Sequence, residues 1–422
     1  MRSSDLPGIP STPDPDRTSN AAPGPFLRGA VVAAAAATAA IVVSAALESG
    51  RGHWAAALVA IPLLVATVII ARAVYPRLVG ATTVALALLI VAVATGGLVA
   101  WSNDAHWAAF AHVAAAGASL AASLVALVLS FRGDPLPGGP WRDYITLTKP
   151  RIMSLLLLTG AAGMFVGAGG WPNGPAFLAM MVGLALACGG SSALNHVMDA
   201  DIDRLMGERT AARPVASGRV AAPRALEFGV VLMALSFALL ATTVNVLTAL
   251  LALVGGLFYV VVYTGYLKRA TDQNIVIGGA AGAVPPLVGY AAATGNLTLP
   301  ALWLFLIVFL WTPPHFWALA LMIKEHYAAA NVPMLPGTKG DRETTRQILL
   351  YSLVLVAFTV GVGYWFGPVY TVAAVLLGAY FLLLAWQLRR DTSRRRAVVL
   401  FHYSLAYLAL LFVAAAVDPL LV

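Results

Sequence analysis

Asn195-His196-Val197-Met198-Asp199-Ala200-Asp201-Ile202-Asp203-Arg204 is the stretch on which the reading of this chain turns, together with the arginine-rich run that follows it to Arg224. The chain is 60% hydrophobic and only 10% charged, yet four of its 18 acidic residues fall between Asp199 and Glu208. Arg204, Arg209, Arg213, Arg219 and Arg224 follow or interleave. Carboxylates at a membrane boundary are costly and usually serve a function. A helix continuing through the stretch places Asn195, Asp199 and Asp203 at i, i+4 and i+8, on one face. Two carboxylates and an amide oxygen so arranged suit a hard cation such as Mg2+, which keeps its waters and bridges to substrate phosphates. Arginines supply forked donors for the remaining phosphate oxygens. The spacing therefore predicts a diphosphate site, with Asp201 off the face as a solvated neighbour. Arginines at the end of a span also orient it in the membrane, but topology does not call for the acids.

Outward from this stretch the chain is apolar in both directions. A mean hydropathy of +0.85 over 422 residues excludes a soluble globular protein. A bilayer core of about 30 Å takes roughly 20 apolar residues per helix. Thirteen such runs are legible, near 29–48, 54–74, 79–101, 105–131, 152–169, 175–198, 225–243, 245–266, 275–293, 299–322, 347–366, 369–388 and 397–417. With the N-terminus inside, the cytoplasmic connections collect 25 of the 26 Lys and Arg residues and leave only Arg51 outside. The expectation is an all-α, multi-pass protein of the cell membrane, its N-terminus and its active site facing the cytoplasm. The formal charge of +8 is then a topology signal, and no nucleic-acid partner is expected. Cys188 is the single cysteine and lies in a span, so neither a disulfide framework nor a thiolate metal site is available.

Composition divides the chain. Residues 1–27, rich in Pro, Ser and Asp, read as a disordered cytoplasmic tail and are too polar a lead for a cleaved signal peptide. Residues 28–131 hold four spans dominated by Ala, Val and Leu. Residues 132–142 form a linker whose Pro and Gly content cannot stay helical. The nine spans within 143–422 carry the motifs, and no internal repeat is visible, which counts against a transporter built from inverted repeats.

Several motifs follow one another over two-thirds of the chain. They are Leu147-Thr148-Lys149-Pro150-Arg151-Ile152, Asn195-x3-Asp199-x3-Asp203, Met206 with Arg209-Thr210, and Arg213-Pro214-x2-Ser217-Gly218-Arg219. Lys268-Arg269-x-Thr271 with Asn274-Ile275 and Gly282-Ala283-x-Pro285-Pro286-x2-Gly289-Tyr290 come next. The series ends with Trp311-Thr312-Pro313-Pro314-His315-Phe316-Trp317 and Val332-Pro333-Met334-Leu335-Pro336. On these residues the region 143–418 resembles the protoheme IX farnesyltransferases (heme O synthases), a branch of the UbiA-type intramembrane prenyltransferase superfamily.

The resemblance implies a bundle of nine transmembrane helices around a cavity open to the cytoplasm and the lipid. It implies transfer of a farnesyl group from farnesyl diphosphate to a vinyl group of protoheme IX, in heme O and heme A biosynthesis, with Mg2+ as cofactor. Asp199 and Asp203, assisted by Asn195, would hold the metal. Arg209, Arg213, Lys268, Arg269 and Lys149 would contact the diphosphate, and His315, Trp311 and Tyr263 the heme. One departure stands out. The superfamily carries a second acidic cluster after the sixth helix, where this chain has His326 and only Glu325 as a carboxylate. A shift of one residue on a helix turns a side chain by about 100°. In the first four spans, Gly96-Gly97-Leu98-Val99 with His106 and His112 resembles one half of a heme A synthase, whose histidines ligate heme. Only His112 lies well inside a span, so a structural or interaction role is expected there, with a heme A synthase or oxidase assembly protein as partner. Two rival classes share the charged motif: a prenyltransferase acting on an aromatic or quinone precursor, and a non-catalytic transporter or assembly factor.

Overall fold

The computed structural model describes residues 22–46, 50–101, 106–131 and 139–421. Most of the expected tail (1–21) and of the linker (132–138) lies outside the described residues. Among the described residues there is no strand, and the chain is a multi-pass helical membrane protein. It divides into two units, Met1–Gly138 with Leu226–Val231, and Gly139–Ala225 with Leu232–Val422.

The first unit contains α1 (Pro25–Ala46), α2 (Gly50–Val74), α3 (Pro76–Trp101) and α4 (His106–Ser130). Each helix packs on its neighbour in sequence, and α1 also packs on α4, which closes a four-helix bundle. Lipid offers no hydrogen-bond partners, so the few polar groups are satisfied within the bundle. Thr38 and Thr82 donate to the carbonyls of Ala34 and Leu78, and Ser119 donates across to Ala85 O at 2.7 Å. His112 is buried, with Nδ1 2.5 Å from Ala92 O and its ring against Gly96. Glu227, fully buried, accepts from the backbone N of Gly24 and from the hydroxyl of Tyr75.

The second unit holds α5 (Trp141–Leu147), α6 (Pro150–Ala168), α7 (Gly174–Met198), α8 (Ala200–Leu205), α9 (Glu208–Ala211), α10 (Ala222–Thr243) and α11 (Val246–Leu257). A π-helix (Phe258–Leu267) follows, then α12 (Lys268–Ala270), α13 (Asn274–Gly282), α14 (Val284–Thr294), α15 (Leu299–Met322) and α16 (Lys324–Ala329). The last elements are α17 (Leu335–Gly361), α18 (Gly363–Phe366), α19 (Pro368–Arg390) and α20 (Arg394–Leu421). Local chemistry sets many of these ends. Asn173 and Asn245 cap α7 and α11 by accepting from Ala176 N and Thr248 N. Prolines occupy the first turns of α6, α7, α14, α15 and α19, where a missing N–H costs nothing.

Among the described residues, 11 helices are long and apolar enough to cross a membrane, two in the first unit, eight in the second and α10 with residues in both, and Pro25–Ile41 and Ala114–Leu127 are shorter apolar pieces. In the second unit the packing runs from α6 to α7, on through α11, the π-helix, α13, α15, α17 and α19 to α20, which returns to α6. The contact of α6 with α14 depends on glycine. A Cβ at Gly289 would sit 1.8 Å from Gly160 O, and one at Gly163 would sit 2.3 Å from Pro286 O. Without a hydrophobic drive between helices in lipid, such close backbone approach supplies the attraction. Large apolar side chains such as Val182, Val254, Leu353 and Leu376 stay exposed, as a lipid-facing surface requires.

Candidate active site

Helix α7 stops at Met198, Asp199 adopts φ −92° and ψ 3°, and α8 starts at Ala200. The single straight helix expected from the spacing is thus jointed. The bonds Asp199 N→Asn195 O and Asp203 N→Asp199 O, both 2.8 Å, nevertheless carry the i+4 relation across the joint. Asn195, Asp199 and Asp203 remain together and are at most 3% exposed, whereas the side chain of Asp201 is 62% exposed.

The Asn195 amide is fully engaged. Its Oδ1 accepts from Lys149 Nζ at 2.7 Å, and its Nδ2 donates to Asp199 Oδ2 at 2.8 Å and to Thr264 Oγ1 at 3.0 Å. Turning the amide over would set oxygen against carboxylate and NH2 against ammonium, so the charges impose this orientation. Asn195 here holds Asp199 by its nitrogen, a different use from the oxygen donor expected.

Each carboxylate meets one cation. Lys268 Nζ lies 2.6 Å from Asp199 Oδ2, and Arg213 Nη1 lies 2.5 Å from Asp203 Oδ1. The second oxygen of each, Asp199 Oδ1 and Asp203 Oδ2, is buried without a hydrogen bond. A buried charged oxygen in that state carries a desolvation penalty that a cation would relieve. Among the described residues no three His, Cys, Asp or Glu gather as a metal group. The protein's share of a shell at this point is two carboxylates, which suits Mg2+ completed by water and phosphate.

Lys149 arrives in an unusual conformation. It caps α6 with φ 51° immediately before Pro150, a region that a non-glycine residue seldom adopts. Burial, and then the neighbouring Arg213, pull its ammonium from the ordinary 10.5 to about 7. Lys268 and Thr264 are delivered by the π-helix and its exit. The Thr264 hydroxyl donates to Tyr259 O, five residues back, at 3.0 Å, and Tyr259 stacks on Tyr263 with centroids 5.7 Å apart. Such wide turns are frequent at functional sites.

The loop from Gly207 to Val220 brings Arg213. Arg204 Nε donates to Ala216 O, and Arg219 places its fork on both oxygens of Asp143 at 3.0 Å each. Asp143 and Thr264 were not among the residues the sequence singles out. Neither carries a local signal, since each acts on a partner far along the chain.

The remaining expected residues are dispersed. Arg209 is exposed and, among the described residues, has no hydrogen-bond or ion-pair partner. Arg269 is not in the cluster: its fork takes both oxygens of Asp201 at 2.7 Å and Met198 O at 2.8 Å, and it holds the Asp201 carboxyl down to about 2. The joint at Asp199 turns Asp201 outward, and Arg269 follows it. His315 and Trp311 lie in the apolar core between α15 and α20. His315 Nδ1 is 2.6 Å from Ser404 Oγ, Trp311 Nε1 donates to Ser404 O at 2.7 Å, and the imidazole is stacked between Trp311 and Phe401. Tyr263 instead packs beside Ile202, Met206, Phe316 and Tyr327, next to the acids. Burial pushes the Tyr327 hydroxyl up to about 12, so it stays protonated. Glu325 is exposed, and His326, at the position where the resemblance expects an acid, lies against Gly207. His196 is 2% exposed with neither ring nitrogen bonded.

Comparison with known proteins places this architecture. Residues 156–412 match the model of the UbiA prenyltransferase family. Over 286 residues the chain is 51% identical to a protoheme IX farnesyltransferase of Thermus thermophilus, covering 67% of this chain and 46% of the relative. It is 50% identical over 280 residues to protoheme IX farnesyltransferase 1 of Pseudomonas putida, covering 66% of this chain and 94% of that one. The chain thus spans about half the length of some curated relatives and nearly all of others. A solved structure concerning digeranylgeranylglyceryl phosphate synthase superposes with a TM-score of 0.57 at 18% identity, over 67% of this chain and 99% of that chain. A UbiA homolog from Archaeoglobus fulgidus, solved with DMAPP and Mg2+, superposes with a TM-score of 0.53 at 17% identity, over 66% and 99%. At such identities these two likenesses concern the fold, which is shared; together with the family match and the half-identical relatives, they mean that the chain belongs to the UbiA prenyltransferase family.

Proposed function

We propose that the chain transfers the farnesyl group of farnesyl diphosphate to a vinyl group of protoheme IX, giving heme O and diphosphate, with Mg2+ held by Asp199 and Asp203. The observation that carries this reading is the pair of buried, unbonded oxygens, Asp199 Oδ1 and Asp203 Oδ2, with Lys268 and Arg213 on the other oxygens and Lys149 beside them. The names of relatives about 50% identical over two-thirds of the chain support the choice of donor and acceptor.

In the ligand-free arrangement the cations neutralise the acids. With the donor bound, Asp199 and Asp203 would hold the metal, and Lys149, Lys268 and Arg213 would turn to phosphate oxygens. Arg209, exposed beside the same loop, is available to join them. Bound Mg2+ supplies charge that stabilises the departing diphosphate oxygens. The three protein cations act in the same sense, because negative charge grows on oxygen as the allylic C–O bond breaks. The vinyl π pair then forms the C–C bond, water adds to the cation left on the acceptor, and a proton departs to leave a hydroxyl. Tyr263, Phe316 and Tyr327 pack against the cluster that holds Ile202, the neighbour of Asp203 in sequence, and aromatic rings there would favour an allylic cation and exclude early water. Tyr263 serves as a wall for the acceptor. His315 and Trp311, bonded to Ser404, support that region from the core.

The sorting of Lys and Arg residues into one set of connections supports a site on the cytoplasmic side of the cell membrane. A heme A synthase or oxidase assembly protein is the fitting recipient of the product. The test gives the purified chain farnesyl diphosphate and Mg2+ with either protoheme or an aromatic acid. Mass spectrometry is expected to find a prenylated product with protoheme alone. Prenylation of the aromatic acid, with protoheme untouched, overturns the reading.

A further inference from the structure

Asp143 stands apart from the acid-rich motif, at the start of the short helix α5, and is only 7% exposed. It takes the fork of Arg219, Nε on Oδ2 and Nη2 on Oδ1, each at 3.0 Å. The other donations of Arg219 go to Ser217 Oγ and Ala212 O, also at 3.0 Å. A guanidinium so engaged is not free for a phosphate, although it belongs to the same arginine-rich motif as Arg213. Its partners are instead the loop itself and α5.

That loop needs fastening. Between Gly207 and Val220 it contains one four-residue helix and two glycines at positive φ, 107° at Gly207 and 77° at Gly218. Two ties come from the acid-rich segment, Arg204 to Ala216 O and Asp203 to Arg213. The second of these is the contact that a diphosphate would displace. When Arg213 changes partner, the side-chain hydrogen bonds that still tie the loop to other elements, among the described residues, are those of Arg204 and of the Arg219–Asp143 fork. Gly139 closes on the same spot: with φ 63°, a Cβ there would lie 2.7 Å from Val220 Cγ2 and 3.4 Å from Asp143 Oδ2. A planar two-bond fork sets orientation as well as distance, and Asp143 is shielded enough that solvent does not erase it.

We propose that Asp143 is a positioning residue for the donor site: through the fork of Arg219 it fixes the seat of the loop that presents Arg213. This rests on the reading of Arg213 as a diphosphate contact. Loosening the fork leaves the acids and the acceptor wall intact but lets Arg213 wander.

The experiment measures Mg2+-dependent binding of inorganic pyrophosphate to the full chain by calorimetry, with steady-state KM for farnesyl diphosphate and for protoheme alongside. Asp143→Asn and Arg219→Lys are each expected to raise the pyrophosphate Kd about tenfold, the size of a typical coupling between contacting groups. The KM for farnesyl diphosphate rises with it and that for protoheme does not. The double variant is expected to be no worse than the weaker single, because both changes break the same tie. Lower thermal stability with a pyrophosphate Kd within about twofold of wild type overturns the proposal, and so do losses that multiply in the double variant. Arg213→Lys separates the two levels. If it binds pyrophosphate as wild type does, the reading of Arg213 fails; if it binds weakly while Asp143→Asn binds normally, only the role of Asp143 fails. Should Asp143→Asn not fold, Arg219→Lys keeps the charge and loses the fork, and an unchanged Kd there is decisive against the proposal.

Discussion

Lys149 is strongly altered by its surroundings, and it makes the donor site sensitive to pH in a definite direction. With its ammonium drawn down to about 7 by burial and Arg213, Lys149 is partly neutral at physiological pH in the unliganded site. An anion stabilises the protonated form and raises its value above 7, so binding takes up a proton in the window just above that point. Metal-free pyrophosphate binding is therefore expected to weaken as pH rises from 7 to 9, by up to about tenfold per unit. Lys149→Met should flatten the profile, and an unchanged slope in that variant refutes the assignment. Much of the site is legible at this scale, because charges four residues apart stand out in an apolar chain; Asp199, Asp203, Arg213, Lys268 and Lys149 converge. Asp143 is not legible, since its partner Arg219 lies 76 positions away and nothing local marks the pair. Arg269 misleads for a related reason: its position beside Lys268 suggests a shared role, but Asp201 is the nearer anion once the helix bends.

At the scale of elements, length and hydropathy announce the helices, and proline and asparagine mark many of their starts. The joint at Asp199 and the π-helix over Phe258–Leu267 have no such announcement. The acid-rich segment reads as one continuous helix and Phe258–Leu267 as ordinary apolar helix, while the structure ties the two together by Asn195 to Thr264 and Asp199 to Lys268. The α6–α14 contact is a sharper case, because its glycines are visible in the sequence while their pairing is not. Gly289→Ala is expected to destabilise the protein by at least about 1–3 kcal/mol, since the added carbon meets the carbonyl of Gly160. Gly282→Ala, with nothing within 4 Å of its Cβ, serves as the control. Equal thermal unfolding of the two variants in detergent contradicts the contact.

For the whole molecule, the positive-inside sorting treats the first four spans as removable, since an even number leaves the orientation of the rest unchanged. The structure adds a cost to that removal. Glu227, fully buried, accepts from Gly24 and Tyr75, and a chain beginning at Gly139 lacks both. Such a chain is expected to insert and to retain turnover, but to lose about 1–3 kcal/mol of stability for the exposed defect. Adding Glu227→Gln should recover part of it; no recovery, with stability unchanged by truncation, removes Glu227 from that role. The most direct test of the molecule as a Mg2+-dependent farnesyltransferase compares full-length wild type with Asp199→Asn, in equal membrane amounts, given protoheme and farnesyl diphosphate. Mg2+ is either supplied or chelated, and mass spectrometry follows the product. Wild type with Mg2+ should yield protoheme enlarged by one farnesyl and one hydroxyl group. Chelation should abolish that product, and Asp199→Asn should reduce it by more than the roughly 10–100-fold that loss of an outer metal partner costs. Undiminished product from Asp199→Asn, or from wild type without divalent metal, would contradict the assignment of Asp199 and Asp203 as the metal-bearing centre.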